Sequence, residues 1–423
     1  MHERRRGAFD PLPSKQVRRM MRHDHQSRHE AQARQGFQIF DGGIRLHGPF
    51  YRATMRQNPQ MREHYLDGLR GWAALCVVFC HVGPYFFNLG PRFAGLVPFV
   101  TDGTFAVYVF FVLSGYVLSI DFFKARKRRI VVDLALRRYP RLTLPILVSV
   151  LAAALLGWGG LMFNLRVAEL MGNDAMRVLY AAPPSFAQSV QFSLWGVYLS
   201  PGALNYNPVL WTMYYEMLGS LILFAFLVTA GRSSALTLAG HATFICVAWN
   251  AKSPIVAIAM GAVIANATQF QWHARLMAMR GVSIVAGLLL LLALLCAAMR
   301  QDIGDSRLLA LCSTGVVYAV LLAPCLRSAL SSSLSRSLGE LSFPLYLVHV
   351  PLMCSLMSYG YVRAVDSGFA SPWVFGAIAA AGVALSLLAA IAFRPVEQLA
   401  IAAGRSLSRA LMGAAAALRT SRG

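Results

Sequence analysis

The chain has 423 residues, of which 57% are hydrophobic and 13% are charged, and its mean hydropathy is +0.53. Soluble globular proteins carry about 25% charged residues, so the composition excludes an ordinary water-soluble enzyme. Charge is costly inside a bilayer, so the low fraction of charged residues predicts a polytopic membrane protein. The 39 Lys and Arg residues exceed the 18 Asp and Glu residues, and their positions favour a membrane surface over nucleic acid as the partner.

The N-terminal residues 1–64 are basic and lack apolar periodicity, which predicts a disordered cytoplasmic tail. Within it, His23, His25 and His29 are interpreted as solvated polar residues and not as a metal site. The seven cysteines lie in or beside apolar runs and form no CxxC pair, so they are interpreted as packing residues. Neither a metal nor a permanently bound cofactor is predicted.

Ten apolar segments follow from Leu66 onward, and a bilayer core takes about 20 helical residues. The segments are 68–88, 103–122, 141–162, 209–229, 234–249, 254–268, 280–299, 308–327, 340–360 and 372–393. The fifth and sixth are short, as tilted or trimmed helices would be. The predicted fold class is therefore all-α, with about ten transmembrane helices in a membrane domain at 65–397 and a short basic cytoplasmic tail at 398–423.

The basic residues predict the orientation of these helices. With a cytoplasmic N-terminus, 31 of the 39 Lys and Arg residues fall in cytoplasmic segments and 7 fall outside, with Arg70 at a boundary. The positive-inside rule therefore places both termini in the cytoplasm.

Four titratable residues lie inside the predicted membrane segments, where such groups usually mark functional sites. By helix rise, His81 and Glu216 both lie about 10 Å below the outer surface, so they are predicted to meet as a general base and its orienting partner. A packing role, with His81 bonded to a backbone carbonyl and Glu216 to hydroxyl groups, is the alternative. His349 lies mid-membrane and fits either role, and His241 is interpreted as a packing residue.

Asp67 and Arg70 stand at the cytoplasmic end of the first helix. Arg70 lies eleven residues before His81, so both residues occupy one helix face, about 16 Å apart along the axis. Asp67 is three residues before Arg70 and is interpreted either as a supporting group or as its local ion-pair partner.

Arginines also precede the third apolar segment. The basic run 124–129 is interpreted as contacting anionic lipid. Arg138 and Arg141 flank Pro140, which is interpreted as the start of a helix. With Arg70 they are predicted to form a guanidinium cluster that binds phosphates, and lipid contact is the alternative.

The segment 163–208 is the one long segment predicted outside the membrane, and it is rich in Pro, Gly, Ser and aromatic residues. It is expected to be too short for an enzyme domain of its own. A lid or acceptor-binding surface and a simple interfacial connector are equally compatible with it.

Five motifs in order resemble those of acyltransferase family 3, a family of bacterial inner-membrane O-acyltransferases. The motifs are YLDGLRGWAA at 65–74 with Arg70 and His81 spaced as R-x10-H, FFVLSGY at 110–116, RYPR at 138–141, NPVLWTMYYE at 207–216 and LGELSFPLYLVH at 338–349. The resemblance covers residues 65–397.

The resemblance implies transfer of an acyl group, commonly acetyl, from cytoplasmic acyl-coenzyme A to a hydroxyl of a glycan, a lipid-linked glycan or another cell-surface molecule. Arg70 and His81 match the first-helix pair, Arg138 and Arg141 the arginine pair, and Glu216 the glutamate after the tryptophan motif. Some relatives carry an additional esterase-like domain, for which this chain is expected to have no room. Direct transfer and hand-off to glycan-synthesis machinery therefore both stay open.

The mechanism predicted from these residues uses His81 as general base, Glu216 as its orienting group and the arginines as ligands of coenzyme A phosphates. One alternative is a proton-coupled transporter of an anionic substrate, in which the same residues relay protons. The absence of a visible internal repeat weighs against it. A non-catalytic assembly factor is a third alternative.

Overall fold

The computed structural model describes residues 63–87, 100–229, 234–299 and 306–420. Within these ranges the chain is helical and contains no strand, which confirms the all-α class. Residues 1–62, which make up nearly all of the predicted basic tail, lie outside the described residues.

The helices share a predominantly apolar composition, and each of the ten predicted segments falls on one of them. In chain order they are α1 His64–Cys80, α2 Gly103–Ala125, α3 Arg128–Trp158, α4 Asn164–Met171, α5 Asp174–Arg177, α6 Phe186–Gln191, α7 Val197–Leu199, α8 Trp211–Thr229, α9 Ser234–Asn250, α10 Ile255–Ala267, α11 Gln271–Ala278, α12 Val282–Ala298, α13 Ser306–Leu322, α14 Pro324–Leu330, α15 Ser333–Leu352, α16 Ser358–Asp366 and α17 Pro372–Thr420. Three π-helical turns, His81–Tyr85, Phe192–Gly196 and Met353–Met357, and a 3₁₀ turn, Pro208–Leu210, continue or precede them.

Six helical stretches among the described residues are long and apolar enough to cross a membrane. The number becomes eight if two bent helix pairs each count as one crossing: α10 with α11, which meet at 81°, and α13 with α14, which meet at 96°. The helix α12 is apolar but shorter. The chain is therefore a helical protein with several potential membrane spans.

The helix α3 differs from its prediction. Its first residue is Arg128, so Pro140 and Pro145 lie inside a continuous helix of 31 residues and neither starts it. The interpretation of Pro140 as a helix start is wrong. Transmembrane helices tolerate proline because neighbouring groups satisfy the carbonyl that it frees. As a result, Arg138 lies ten residues inside α3 and not at its mouth.

The last helix, α17, runs for 49 residues and crosses the predicted boundary between 397 and 398 without a break. Its C-terminal half is rich in Ala, Leu and Arg, which are strong helix formers. It packs along α3, where the Ser408 hydroxyl donates to Asp133 and Gly404 lies against the backbone of Arg137. The segment 398–420 is therefore helical and packed on the membrane domain.

The helices α1 and α15 approach each other closely at two glycines. A Cβ atom on Gly71 would lie 2.4 Å from the backbone nitrogen of Gly339, and one on Gly339 would lie 2.4 Å from the carbonyl oxygen of Asp67. Small residues allow this approach between membrane helices. Ten residues beyond each glycine stand His81 and His349, which also touch, so the two helices run parallel and in register.

The substitution Gly71→Ala is expected to lower the Tm of the detergent-solubilised protein. The added methyl group meets backbone atoms that cannot move aside, and overpacking of this kind costs about 1–3 kcal/mol. The matched control is Gly287→Ala on α12, where nothing lies within 4 Å of the new Cβ. That variant should keep or slightly raise the Tm, because Ala favours a helix over Gly. Equal Tm values for both variants would contradict the close approach.

Candidate active site

The two histidines at the ends of the α1–α15 contact form a pair. His349 Nε2 lies 3.3 Å from His81 Nδ1, and the ring centroids are 5.0 Å apart. His349 is fully buried, and His81 is half-buried. The π-helical turn His81–Tyr85 begins at the first histidine, and the turn Met353–Met357 follows the second. Such turns are frequent at functional sites.

Backbone carbonyls fix the tautomers of both rings. His81 Nδ1 is 2.8 Å from the carbonyl oxygen of Val77, and His349 Nδ1 is 3.0 Å from that of Leu345. A carbonyl oxygen only accepts hydrogen bonds, so each neutral ring carries its proton on Nδ1. The Nδ1–H of His81 then donates to the Val77 carbonyl at 2.8 Å and is shared with the His349 Nε2 lone pair at 3.3 Å, and the His81 Nε2 lone pair is available as a base.

Pro351, two residues after His349 in α15, organises the polar contacts beside the histidine pair. Pro351 has no N–H, so the carbonyl of Leu347 loses its helical partner. That oxygen instead accepts from Asn207 Nδ2 at 2.8 Å and from the Ser149 hydroxyl at 3.0 Å. Asn207 Nδ2 also donates to Ser149 Oγ at 2.8 Å. These bonds tie α3 and the start of α8 to α15 beside the histidine pair.

A second polar cluster joins α2, α3 and α8. Arg138 forms an ion pair with Glu216, and the Ser114 hydroxyl donates to the same carboxylate oxygen. Arg138 Nη2 also lies 3.3 Å from Ser114 Oγ. The arginine is only 8% exposed. A carboxylate and a guanidinium group that leave water together satisfy each other and avoid the cost of a lone buried charge.

This cluster lies well away from the histidine pair. Gly103, the first residue of α2, packs against Cys80 beside His81. Ser114 stands eleven residues further along α2, which is about 16 Å at the helical rise. Glu216 is bonded to Ser114, so it does not share the depth of His81. The predicted pairing of His81 with Glu216 is not observed, because Glu216 is bonded to Ser114 and Arg138, although its helix begins within two residues of the predicted start. His349 is the group beside His81.

The arginines predicted to form one cluster have other partners. Arg138 is paired with Glu216, and Arg70 lies 3.5 Å from Asp67, which makes the local ion pair foreseen as an alternative. Arg141 is exposed one turn beyond Arg138. Of the three, Arg138 is therefore committed to a buried protein carboxylate.

The remaining histidine, His241, stands apart from both clusters. It is 5% exposed and packs between the rings of Phe123 and Phe226, with centroid distances of 5.8 and 4.9 Å. Its position agrees with the packing role given to it.

The segment 163–208, which is predicted to lie outside the membrane (the outer segment), folds into helices that contact the turn carrying His81. The Tyr85 hydroxyl donates to the carbonyl of Ala175 at 2.9 Å, and Asn173 Nδ2 donates to the carbonyls of Tyr85 and Phe86 at 2.9 and 3.0 Å. On the other side, the backbone N–H of Phe163 donates to the carbonyl of Cys354 at 2.8 Å. The segment is thus fixed to the chain just beyond both histidines.

Sequence reasoning missed the groups that support the site. Ser149 is a common polar residue in an apolar segment, whereas Ser114 and Asn207 lie within two of the five motifs, at 110–116 and 207–216, but were given no role. A signal for the histidine pair was present, because His81 follows Gly71 and His349 follows Gly339 by the same ten residues. Pro351 also predicted a free carbonyl at Leu347, because proline has no N–H to bond it.

The ion pair between Arg138 and Glu216 yields a double-mutant prediction. Arg138→Met or Glu216→Leu leaves one buried charge unpaired, which costs about 3–5 kcal/mol and should lower the Tm strongly. The double variant removes both charges, so its Tm should lie above that of either single variant. The exposed pair Arg166–Glu169 supplies the control, since Arg166→Ala should change the Tm little. A double variant less stable than both single variants would show that the pair is not coupled.

The sequence was compared with known proteins. The model of acyltransferase family 3, described as an acyltransferase domain, matches residues 63–391. The chain is 27% identical over 357 residues to acyltransferase MdmB of Streptomyces mycarofaciens, covering 77% of this chain and 87% of that protein. It is 24% identical over 361 residues to O-acetyltransferase PaAT-1 of Phomopsis amygdali, covering 69% of this chain and 72% of that protein.

No solved structure matches the chain. The family match extends over most of the sequence and includes both histidines, the Arg138–Glu216 pair and the outer segment. Both relatives bear the name of acyl-transferring enzymes, in agreement with the resemblance seen in the motifs. The chain belongs to acyltransferase family 3.

Proposed function

We propose that this protein is a membrane O-acyltransferase that moves an acyl group, acetyl in the first instance, from cytoplasmic acyl-coenzyme A to a hydroxyl of a cell-surface or exported glycan. The observation that carries the proposal is the contact between His81 and His349. Family membership supports acyl transfer over the transport alternative, and the name of the Phomopsis amygdali relative supports acetyl transfer to oxygen.

In this mechanism His81 Nε2 takes the proton of the acceptor hydroxyl while the oxygen attacks the thioester carbonyl carbon. The carbon–sulfur bond breaks, and the leaving thiolate takes the proton back from the His81 imidazolium. The Nδ1–H of His81 stays shared between the Val77 carbonyl oxygen and His349 Nε2, and both acceptors stabilise the imidazolium. His349 thus fills, as a neutral ring, the orienting position that a carboxylate holds in a Ser-His-Asp triad.

The donor enters from the cytoplasmic side in this proposal, with its phosphates near Arg70 and Arg141. The Arg70 side chain is 23% exposed against 9% for Arg138, so Arg70 is the more accessible of the two. Arg70 is about 16 Å from His81 along α1, a distance that an extended pantetheine arm spans. Asp67 holds the Arg70 guanidinium group in place until phosphate replaces it.

Arg138 and Glu216 take a positioning role in place of the phosphate-binding and base-orienting roles predicted for them. Their pairing joins α3 to α8, and Ser114 adds α2. The three helices are thereby fixed beside α15. Glu216 acts on the reaction through this arrangement and not by contact with His81.

We also propose that ten helices cross the inner membrane and that both termini lie in the cytoplasm. The directions of two helix pairs agree with an even number of spans, which ten shares with the six or eight that length and hydropathy indicate. The first and ninth predicted spans, α1 and α15, are parallel, as the even number of loops between them requires. The third and tenth, α3 and α17, are antiparallel, because Arg137 meets Gly404 and Asp133 meets Ser408. The distribution of Lys and Arg supports the orientation.

The substitution His81→Ala is expected to lower the turnover number by roughly 10²–10⁴, the usual contribution of a positioned general base. The test is transfer of label from radiolabelled acetyl-coenzyme A to a glycan fraction extracted from the source membranes, using purified protein. The control is His273→Gln, at a histidine on α11 that bonds Tyr318 away from the site. Undiminished transfer by His81→Ala would refute the role of His81.

His349 offers a second test, because glutamine keeps a hydrogen-bond acceptor where Nε2 stands and leucine does not. His349→Leu should reduce the turnover number by about 10–100-fold, and His349→Gln should recover much of that loss. The KM for acetyl-coenzyme A should stay unchanged in both. If the two variants lose the same activity, His349 contributes volume and not a hydrogen bond.

A further inference from the structure

Tyr180 lies in the outer segment, and the surroundings of its hydroxyl group are unusual. Tyr180 is only 7% exposed, and its hydroxyl oxygen is buried without a hydrogen-bond partner. An unsatisfied buried hydroxyl costs about 1–3 kcal/mol. Buried polar groups in folded proteins are nearly always hydrogen-bonded, so we expect this hydroxyl to bind a partner from outside the chain.

The backbone of Tyr180 is strained as well. Its φ angle is 49°, in the left-handed region that bulky residues avoid. The backbone N–H donates to the carbonyl of Leu204 at 3.1 Å, which holds the residue in this conformation. Strain of this kind costs of order 1–3 kcal/mol and clusters at ligand-binding sites. The fold therefore accepts two separate costs to keep the Tyr180 side chain where it is.

The position of Tyr180 links it to the histidine pair. The carbonyl of Leu179, the residue before it, accepts from Asn164 Nδ2 at 2.6 Å, and the backbone N–H of Phe163 donates to the carbonyl of Cys354, five residues after His349. The Tyr85 ring is 5.5 Å from the His81 ring, and the Tyr85 hydroxyl donates to the carbonyl of Ala175 in the same segment. The segment that carries Tyr180 is thus bonded to the turns beside both histidines. Burial also raises the pKa of Tyr180 well above its ordinary value, so the group remains a neutral O–H.

The same segment ends in a second buried group with a free hydrogen-bonding atom. Asn207 is fully buried, and its Nδ2 donates to Ser149 and Leu347, which fixes the orientation of the amide. Its Oδ1 has no partner. Asn207 is bonded to the carbonyl of Leu347, two residues before His349, and the segment next to Tyr180 is bonded to the carbonyl of Cys354, five residues after it, so the two groups lie on either side of His349.

We propose that the outer segment binds the acyl acceptor, with the Tyr180 hydroxyl and the Asn207 carboxamide oxygen as hydrogen-bonding partners for a ligand that carries several hydroxyl groups. A hydroxyl ligand both donates and accepts, and the two protein atoms offer one group of each kind. The pair flanks His349, so a bound ligand presents one of its hydroxyls to His81. This inference rests on the proposed function and names the substrate-binding surface for it.

The test compares Tyr180→Phe with Tyr198→Phe, a matched change in the same segment. The Tyr198 hydroxyl is bonded to Thr143 Oγ1 at 2.8 Å. Removal of a partnered hydroxyl should lower the Tm, whereas removal of the unpartnered one should leave the Tm unchanged or raise it. A clear fall in Tm for Tyr180→Phe would overturn the inference, because it would show that the hydroxyl is bonded within the protein.

The second measurement is transfer from radiolabelled acetyl-coenzyme A to the extracted glycan fraction. Tyr180→Phe should raise the KM for the glycan fraction about 3–10-fold, the usual worth of one hydrogen bond to an uncharged ligand. The KM for acetyl-coenzyme A should not change. An unchanged KM for the glycan fraction would identify a hydroxyl bonded to water and would overturn the inference. Absence of transfer by the unsubstituted protein would refute the proposed function, and the Tm comparison would still decide the state of Tyr180.

Discussion

The contact between α1 and α15 is the constraint on which the site depends. Two helices come close enough for their backbones to touch only where side chains are absent, and Gly71 and Gly339 meet that condition. Because both helices run in the same direction from this point, residues at equal distances along them stay adjacent. His81 and His349 are ten residues further on, and their rings meet. The glycine contact that sets the proposed catalytic geometry therefore lies about 15 Å from the histidine pair.

Away from the histidines, the buried charges of Arg138 and Glu216 and the carbonyl freed by Pro351 all have partners within the protein. Arg138 and Glu216 neutralise each other between three helices. The carbonyl freed by Pro351 is taken up by Asn207 and Ser149. In an apolar bundle these few contacts carry directional information that packing alone does not supply, and they set the position of α15 relative to α3 and α8.

The sequence predicted the helical class, the family and the chain positions of the apolar segments, because hydropathy and motif order are local properties. It also identified His81 and His349 as unusual, since titratable groups are rare inside such segments. It did not predict which of them touch. Hydropathy does not report which helices are neighbours, and depths counted along two separate helices do not show that their side chains meet. Arg138 was misplaced for a different reason: Pro140 is a typical first residue of a helix, yet α3 begins twelve residues earlier.

The 49-residue helix α17 has a mechanical consequence. At the α-helical rise it is about 74 Å long, whereas the hydrocarbon core is about 30 Å thick. One crossing therefore accounts for less than half of its length, and the segment that touches Asp133 and Arg137 packs along the first turns of α3. Removal of residues 398–420 would remove these contacts and leave the first turns of α3 free to fray. The segment around Gly404 and Ser408 thus stabilises the helix that carries the buried Arg138.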